Sequence, residues 1–202
     1  MKVYNFSPGP AKLDSSIISK SQEAMYNFQN TGLSILEIGH RSKEFEKLMN
    51  SLQENIRNIF NVPTNYFTLF LQGGATFQNT FIANNFDKRD KDLGCLVTGT
   101  WGKNTFDDFS KIRETKLIEL SQDEIENFVE SGEDLKNVDY LHLTSNETIN
   151  GVQLREFNKI NHDSLLIDMS SDIGSYRFEW DNIAYIYAGA QKNMGIPGVS
   201  IC

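Results

Sequence analysis

Short apolar runs alternate along this chain with longer stretches of helical period, and that alternation limits the folds open to it. The runs at 93–98, 140–143, 165–168 and 185–190 are nearly unbroken by polar residues. A strand solvated on one face alternates apolar with polar, whereas a strand covered on both faces does not. Helical stretches at 77–86, 100–112 and 121–129 lie between these runs. Strand and helix in turn, with buried strands, predict an α/β fold around a mostly parallel sheet. No internal repeat or flexible linker interrupts it, so 1–202 reads as one domain or most of one.

The flanking elements follow from caps and breakers. Asp14 predicts the N-cap of a helix running to about residue 28, and Ser42 caps a second one. In that second helix Phe45, Leu48, Met49, Leu52, Ile56, Ile59 and Phe60 recur at steps of three and four, an apolar face suited to core packing. Residues 66–71 and 115–120 read as strands. Ser121-Gln122-Asp123-Glu124 is a capping box, and Asn150-Gly151 is a turn. Gly198-Val199-Ser200-Ile201-Cys202 reads as a strand just beginning, with nothing to cap it, which predicts a piece of a longer protein.

Composition removes several function classes. With 39% hydrophobic and 23% charged residues over 202 positions, the chain can fill a core. A formal net charge of -8 argues against a duplex nucleic-acid partner. Two cysteines, no Cys-x-x-Cys pair and three scattered histidines argue against structural zinc and a disulfide scaffold. Cys95, inside an apolar run, reads as a buried thiol. No stretch has the apolar length of a signal peptide or a bilayer span, so a soluble cytoplasmic protein is the expectation.

Two of the apolar runs end in opposite charges. Leu165-Leu166-Ile167 leads to Asp168, and Tyr185-Ile186-Tyr187 leads through Ala188-Gly189-Ala190 and Gln191 to Lys192. A strand-end Asp is often a turn former and most lysines are solvated. Here small residues leave room for a planar group against the backbone, and the sequence around Lys192 is apolar and small. The pair suits an aldehyde cofactor with a pyridine ring: the lysine forms a Schiff base and the aspartate keeps the ring nitrogen protonated. Ligands of open α/β sheets bind beyond the carboxyl ends of the strands. Gly73-Gly74-Ala75-Thr76 offers helix-terminal N–H groups to a phosphate. Trp101 offers a stacking face, Thr148 a hydroxyl for the phenolic oxygen, and Gln191 a further polar contact. As alternatives, the Gly-Gly loop is a plain turn and Trp101 a partly buried core aromatic.

Five segments together resemble the phosphoserine aminotransferase family. They are Phe6-Ser7-Pro8-Gly9-Pro10, His40-Arg41-Ser42-Lys43-Glu44-Phe45, Gln72-Gly73-Gly74-Ala75-Thr76, Asn146-Glu147-Thr148-Ile149-Asn150-Gly151 and Tyr187-Ala188-Gly189-Ala190-Gln191-Lys192-Asn193. The resemblance implies the three-layer large domain of a fold-type I, homodimeric, pyridoxal 5'-phosphate enzyme. Its reaction would exchange an amino group between L-glutamate and 3-phosphohydroxypyruvate, giving O-phospho-L-serine and 2-oxoglutarate, in serine biosynthesis; in some bacteria the family also serves pyridoxine biosynthesis. By matched position, Lys192 is the Schiff-base lysine and Asp168 the ring-nitrogen partner. Trp101 stacks, Thr148 and Gln191 hold the cofactor, and Ala75 and Thr76 bind its phosphate. Arg41, beside His40, contacts the substrate's distal acidic group. Some relatives carry a bulkier basic residue where Thr76 stands. The family is also longer: its small C-terminal domain, an arginine for the substrate α-carboxylate and residues reaching the partner's cofactor phosphate are expected to be absent here. A lyase or desulfurase of the same fold, or a silent fragment that only binds cofactor or a partner, are the alternatives.

Overall fold

The computed structural model describes residues 3–86, 92–131, 135 and 137–202. It divides into two compact units, one ending at Leu69 and the other beginning at Phe70.

In the first unit, the Asp14 carboxylate accepts the N–H of Ser16 at 2.8 Å and opens helix α1 (Ser15–Asn27). Ser42 Oγ accepts the N–H of Phe45 at 3.2 Å and opens α2 (Lys43–Phe60). Glu44 and Glu46 sit in its first turn and Arg57 in its last, as the helix dipole favours. Asn61, left-handed at φ 50°, stops it. The expected apolar face is there but is not sealed in a core. No residue of α2 is fully buried, and Ile59 is 64% exposed.

The strand expected at 66–71 is mostly irregular. Arg57 Nη1 donates to the carbonyl of Pro63 at 3.1 Å and Nη2 to that of Tyr66 at 2.5 Å, and Gln53 donates to that of Thr68 at 3.2 Å. Side chains of α2 thus take carbonyls that a strand neighbour would otherwise bond. Only Phe70–Leu71 pairs, as β1.

The second unit carries the alternation read from the sequence. After β1 come α3 (Gly74–Asn85), β2 (Asp92–Val97), α4 (Thr100–Ser110), β3 (Thr115–Glu119) and α5 (Ile125–Ser131). β4 (Val138–Thr144), the short β5 (Asn146–Glu147) and β6 (Val152–Gln153), β7 (Leu165–Asp168), β8 (Ile183–Gly189) and β9 (Ser200–Ile201) complete it. The main sheet runs β1-β9-β8-β7-β4-β2-β3. From β8 to β3 every pairing is parallel, while β9 lies antiparallel to both β8 and β1. The chain therefore has the α/β fold and mostly parallel sheet that its apolar runs predict. α3 starts earlier than its apolar period suggests, at Gly74, because Gly73 takes φ 93° and turns the chain directly into the helix.

Both faces of the sheet are covered. Leu93, Cys95, Val97, Leu166 and Tyr187 pack with Ile82 and Ala83 of α3 and Phe109 of α4. Leu96 of β2, Leu141 and Leu143 of β4, and Leu165 and Ile167 of β7 are buried too. Double burial explains the unbroken apolar runs and puts the polar strand-end residues at the carboxyl edge.

Candidate active site

The loops after five strands close around one cavity of about 300 Å³ at that edge. Its lining includes Gly74, Ala75 and Thr76 after β1, Trp101 after β2, Thr148 after β4 and β5, Asp168 at the end of β7, and Gln191 and Lys192 after β8. All seven predicted site residues of the second unit are brought together there. His40 and Arg41 lie in the first unit, exposed, in the turn where Ser42 N–H bonds the Gly39 carbonyl at 2.9 Å; they are not among the cavity's lining residues.

The cavity floor is set by strand register. Thr144 pairs with Asp168 and Asp168 with Tyr187 across β4, β7 and β8. Asp168 Oδ1 accepts the N–H of Ser170 at 2.8 Å. Burial pushes its carboxyl up to about 6, and repulsion from Asp172 and Glu147 adds to that, while the Ser170 bond opposes it. Asp172 is itself buried and accepts from Ser145 Oγ at 2.6 Å, Gln153 Nε2 at 3.2 Å and Tyr176 Oη at 3.2 Å. The Asp168 carboxyl on the floor, with Asp172 and Glu147 buried behind it, favours a cationic group above it.

The walls each offer something different. At the N-terminus of α3 no side chain caps the helix, and Gly74, Ala75 and Thr76 of its first turn line the cavity, an arrangement that suits an anion. Thr76 stands within this first turn, inside the helix and not in the loop before it as the sequence suggested. Trp101 is 40% exposed, and its indole N–H donates to Thr148 Oγ1 at 2.8 Å. That bond uses a lone pair of the Thr148 hydroxyl and leaves its proton to donate elsewhere. Trp101 is therefore a cavity wall and not the core aromatic of the alternative reading.

Two local expectations change. The residues around Lys192 in space are polar: Asp168, Ser170, Ser171, Asn146 and Thr148 share its cavity. Its apolar neighbours in sequence belong to the strand and turn behind it. The small residues before it also serve another purpose than expected. Ala188 and Ala190 are buried, and a Cβ on Gly189 would lie 2.8 Å from Gln191 Oε1, so the space is filled by Gln191 folding back.

Sequence reasoning missed the residues behind the walls. Glu147 is fully buried and accepts the N–H groups of Trp101 and Gly102 at 2.8 and 2.6 Å. Beneath the cavity, Tyr187 Oη donates to Asn79 Oδ1 at 3.3 Å, and Asn79 Nδ2 donates to Asp108 at 3.1 Å. His142 bridges two buried groups, its Nε2 3.0 Å from Tyr187 Oη and its Nδ1 3.8 Å from Cys95 Sγ. A histidine alternating with leucines in β4 was the one available signal of a buried polar chain. Cys95 is the buried thiol expected, and burial raises its pKa. Among the described residues no cluster of His, Cys, Asp and Glu suits a metal ion, and no helix is long and apolar enough to cross a membrane.

A family profile described as Aminotransferase class-V matches residues 3–202. The phosphoserine aminotransferase of Geobacillus kaustophilus is 40% identical over 99% of this chain and 56% of its own length. That of Herpetosiphon aurantiacus is 38% identical over 100% of this chain and 57% of its own. Among solved structures, a phosphoserine aminotransferase from Bacillus circulans subsp. alkalophilus superposes with a TM-score of 0.88 at 35% identity, over 99% of this chain and 56% of that one. A PLP-bound phosphoserine aminotransferase from Trichomonas vaginalis gives 0.85 at 32% identity, over 99% of this chain and 60% of that one. The chain thus spans about half the length of the curated relatives it matches.

Proposed function

The chain belongs to the class V aminotransferase family, and on that premise we propose that its natural protein moves an amino group from L-glutamate to 3-phosphohydroxypyruvate with the help of pyridoxal 5'-phosphate. The observation that carries this reading is convergence: an anion cradle, an aromatic face, a hydroxyl donor, a carboxylate and an amine, from five separate loops, line one cavity.

The residues present fit that group. Thr144 Oγ1, buried beside the cavity, has no partner. The uncapped N–H groups of α3 suit a phosphate, the carboxylate of Asp168 a protonated ring nitrogen, and the Trp101 face a flat ring. When bound, pyridoxal phosphate supplies an aldehyde carbon that takes up the amino group and a protonated ring that draws electrons from the α-carbon. Asp168 keeps the ring nitrogen protonated by offering it an anionic acceptor. Thr148 donates to the phenolic oxygen, the direction that its bond from Trp101 leaves open. Ala75, Thr76 and Gln191 fix the group's position. Lys192 would hold the aldehyde through Nζ and, once free, would carry at Nζ the proton taken from the substrate α-carbon.

The remaining assignments extend the same reading. Residues 1–202 make up the cofactor-binding large domain with its N-terminal segment. Arg41, with His40, contacts the substrate's distal phosphate or carboxylate, which a planar guanidinium suits. On this reading the protein is a cytoplasmic homodimer acting in serine biosynthesis. Exposed Tyr4, Phe6, Tyr26, Leu36 and Phe67 in the first unit support a subunit contact.

The test uses the full natural protein that carries this chain. Added pyridoxal phosphate should give a visible absorption band that borohydride abolishes and that Lys192→Ala lacks. Glutamate should bleach the band and 3-phosphohydroxypyruvate restore it. Absence of the band, or its persistence in Lys192→Ala, overturns the cofactor assignment. Bleaching without restoration by the phosphorylated keto acid overturns the substrate assignment alone.

A further inference from the structure

We propose that Glu147 is a positioning residue whose buried carboxylate fixes the Trp101 ring, so that residues 147–150 set the aromatic wall and the Thr148 hydroxyl as one rigid piece. Its consequence for cofactor binding rests on the aminotransferase reading above; its consequence for Trp101 does not.

Helix α4 has no cap of its own. Gly99 occupies the N-cap and carries no side chain to accept from the first turn. The first-turn donors are met from the 147–150 segment instead. Asn150 Oδ1 accepts from Thr100 N at 2.8 Å and from Thr100 Oγ1 at 2.9 Å. Glu147 Oε2 accepts from Trp101 N at 2.8 Å, and Glu147 Oε1 from Gly102 N at 2.6 Å. Thr148 then accepts from the indole of Trp101. Trp101 is thereby held at two points, main chain and ring, by consecutive residues of another loop. A helix held at its backbone alone leaves the indole free to change rotamer, and a ring held at one N–H alone leaves the helix free to shift.

The space around Glu147 is built for it. A Cβ on Gly99 would lie 2.7 Å from the Glu147 carboxyl carbon, and one on Gly102 would lie 3.1 Å from Oε1. Any larger residue at Gly99 would displace the carboxylate. Glu147 has no solvent exposure, and both its oxygens are spent on α4. It lines no part of the cavity, so it acts through Trp101.

Glu147→Gln keeps the shape but sets an amide nitrogen against one of the two N–H donors. In a Trp180→Phe background Trp101 is the only tryptophan left among residues 1–202. There, acrylamide should quench the cofactor-free Glu147→Gln protein more strongly than its parent. Pyridoxal phosphate, titrated by its visible band, should bind about tenfold more weakly, as expected for losing one charge-assisted bond. In a Trp101→Leu background the same substitution should cost nothing more, because its effect passes through the ring. A purely structural role would give additive losses in that cycle. If Glu147→Gln does not fold, Gly102→Ala, which crowds Oε1, serves for the same measurements. Unchanged quenching, or additive losses, overturns the proposal. Failure of the parent protein to form a borohydride-sensitive band overturns the aminotransferase reading instead, while the quenching comparison still decides the role of Glu147.

Discussion

Asp168 and His142 stand on adjacent parallel strands, one step of alternation apart on the same face, and burial drives their titrations in opposite directions. The carboxyl is raised to about 6 and the imidazole lowered to about 3. Between about pH 4 and 6 the native state holds a proton on Asp168 that the unfolded chain releases, so this group's contribution falls as pH rises through that window. Between about 6.5 and 3 the unfolded chain protonates its histidine and the native state does not, so the second contribution falls as pH drops. The two offset each other, and the cofactor-free protein should show a shallow profile from pH 4 to 6. Asp168→Asn should leave stability rising with pH there, and His142→Gln should leave it falling, each by at most about 1.4 kcal/mol per pH unit. Urea unfolding at half-unit pH steps checks both, and a profile unchanged by either substitution would count against the assignment.

Thr148 is expected to matter through its hydroxyl and not its bulk. Thr148→Val removes the acceptor of the Trp101 indole and the donor into the cavity together. Pyridoxal phosphate should bind roughly tenfold more weakly, in line with one to two net hydrogen bonds. Thr148→Ser should recover most of that affinity. Spectrophotometric titration of the three proteins decides it.

Gly73 is expected to be needed for anion binding. At φ 93°, and with a Cβ that would fall 2.8 Å from the Phe77 ring, Gly73→Ala should cost about 1–3 kcal/mol of stability. It should also turn the first N–H groups of α3 away from the cavity. Pyridoxal lacks the phosphate, so the affinity gap between pyridoxal phosphate and pyridoxal should narrow in the variant. An unchanged gap would mean that the phosphate is held elsewhere.

Arg57 is expected to support the segment that follows α2. Arg57→Ala removes the guanidinium donor from the carbonyls of Pro63 and Tyr66, the first of which keeps the Tyr66 N–H, and should destabilise by about 1–3 kcal/mol. Amide exchange over 61–69 should quicken, while the Lys192-dependent visible band persists. Exchange measured by mass spectrometry reads this directly.

Much of this was legible because each signal was local. An unbroken apolar run reports a strand buried on both faces, and the polar residue that ends it reports which edge is open. Asp168, Lys192, Trp101 and Thr148 could be read that way. Residues 66–69 could not, because Arg57 and Gln53 reach them from a helix, and nothing in a strand-like composition records a competing donor. The α2 stripe gives its period but not what covers it. Glu147 stayed hidden for a different reason. A glutamate between Asn146 and Thr148 looks solvated, and its burial becomes visible only when Gly99 and Gly102 are known to open a space for it. His142 was similarly masked by an imidazole's ease at a surface.

The order of the strands has a consequence for how such a chain is made. β2 and β3 lie at one end of the main sheet, and β4, β7 and β8 join in the order of synthesis, each beside the one before. A chain emerging from the ribosome can therefore add β4, β7 and β8 in one direction, one strand at a time, before β9 enters between β8 and the earlier β1. Each addition also delivers one more reactive group: Thr148 after β4, Asp168 with β7, Lys192 after β8. On the proposed reading the amine comes last, so a half-made chain would have its phosphate cradle before the group that captures the carbonyl.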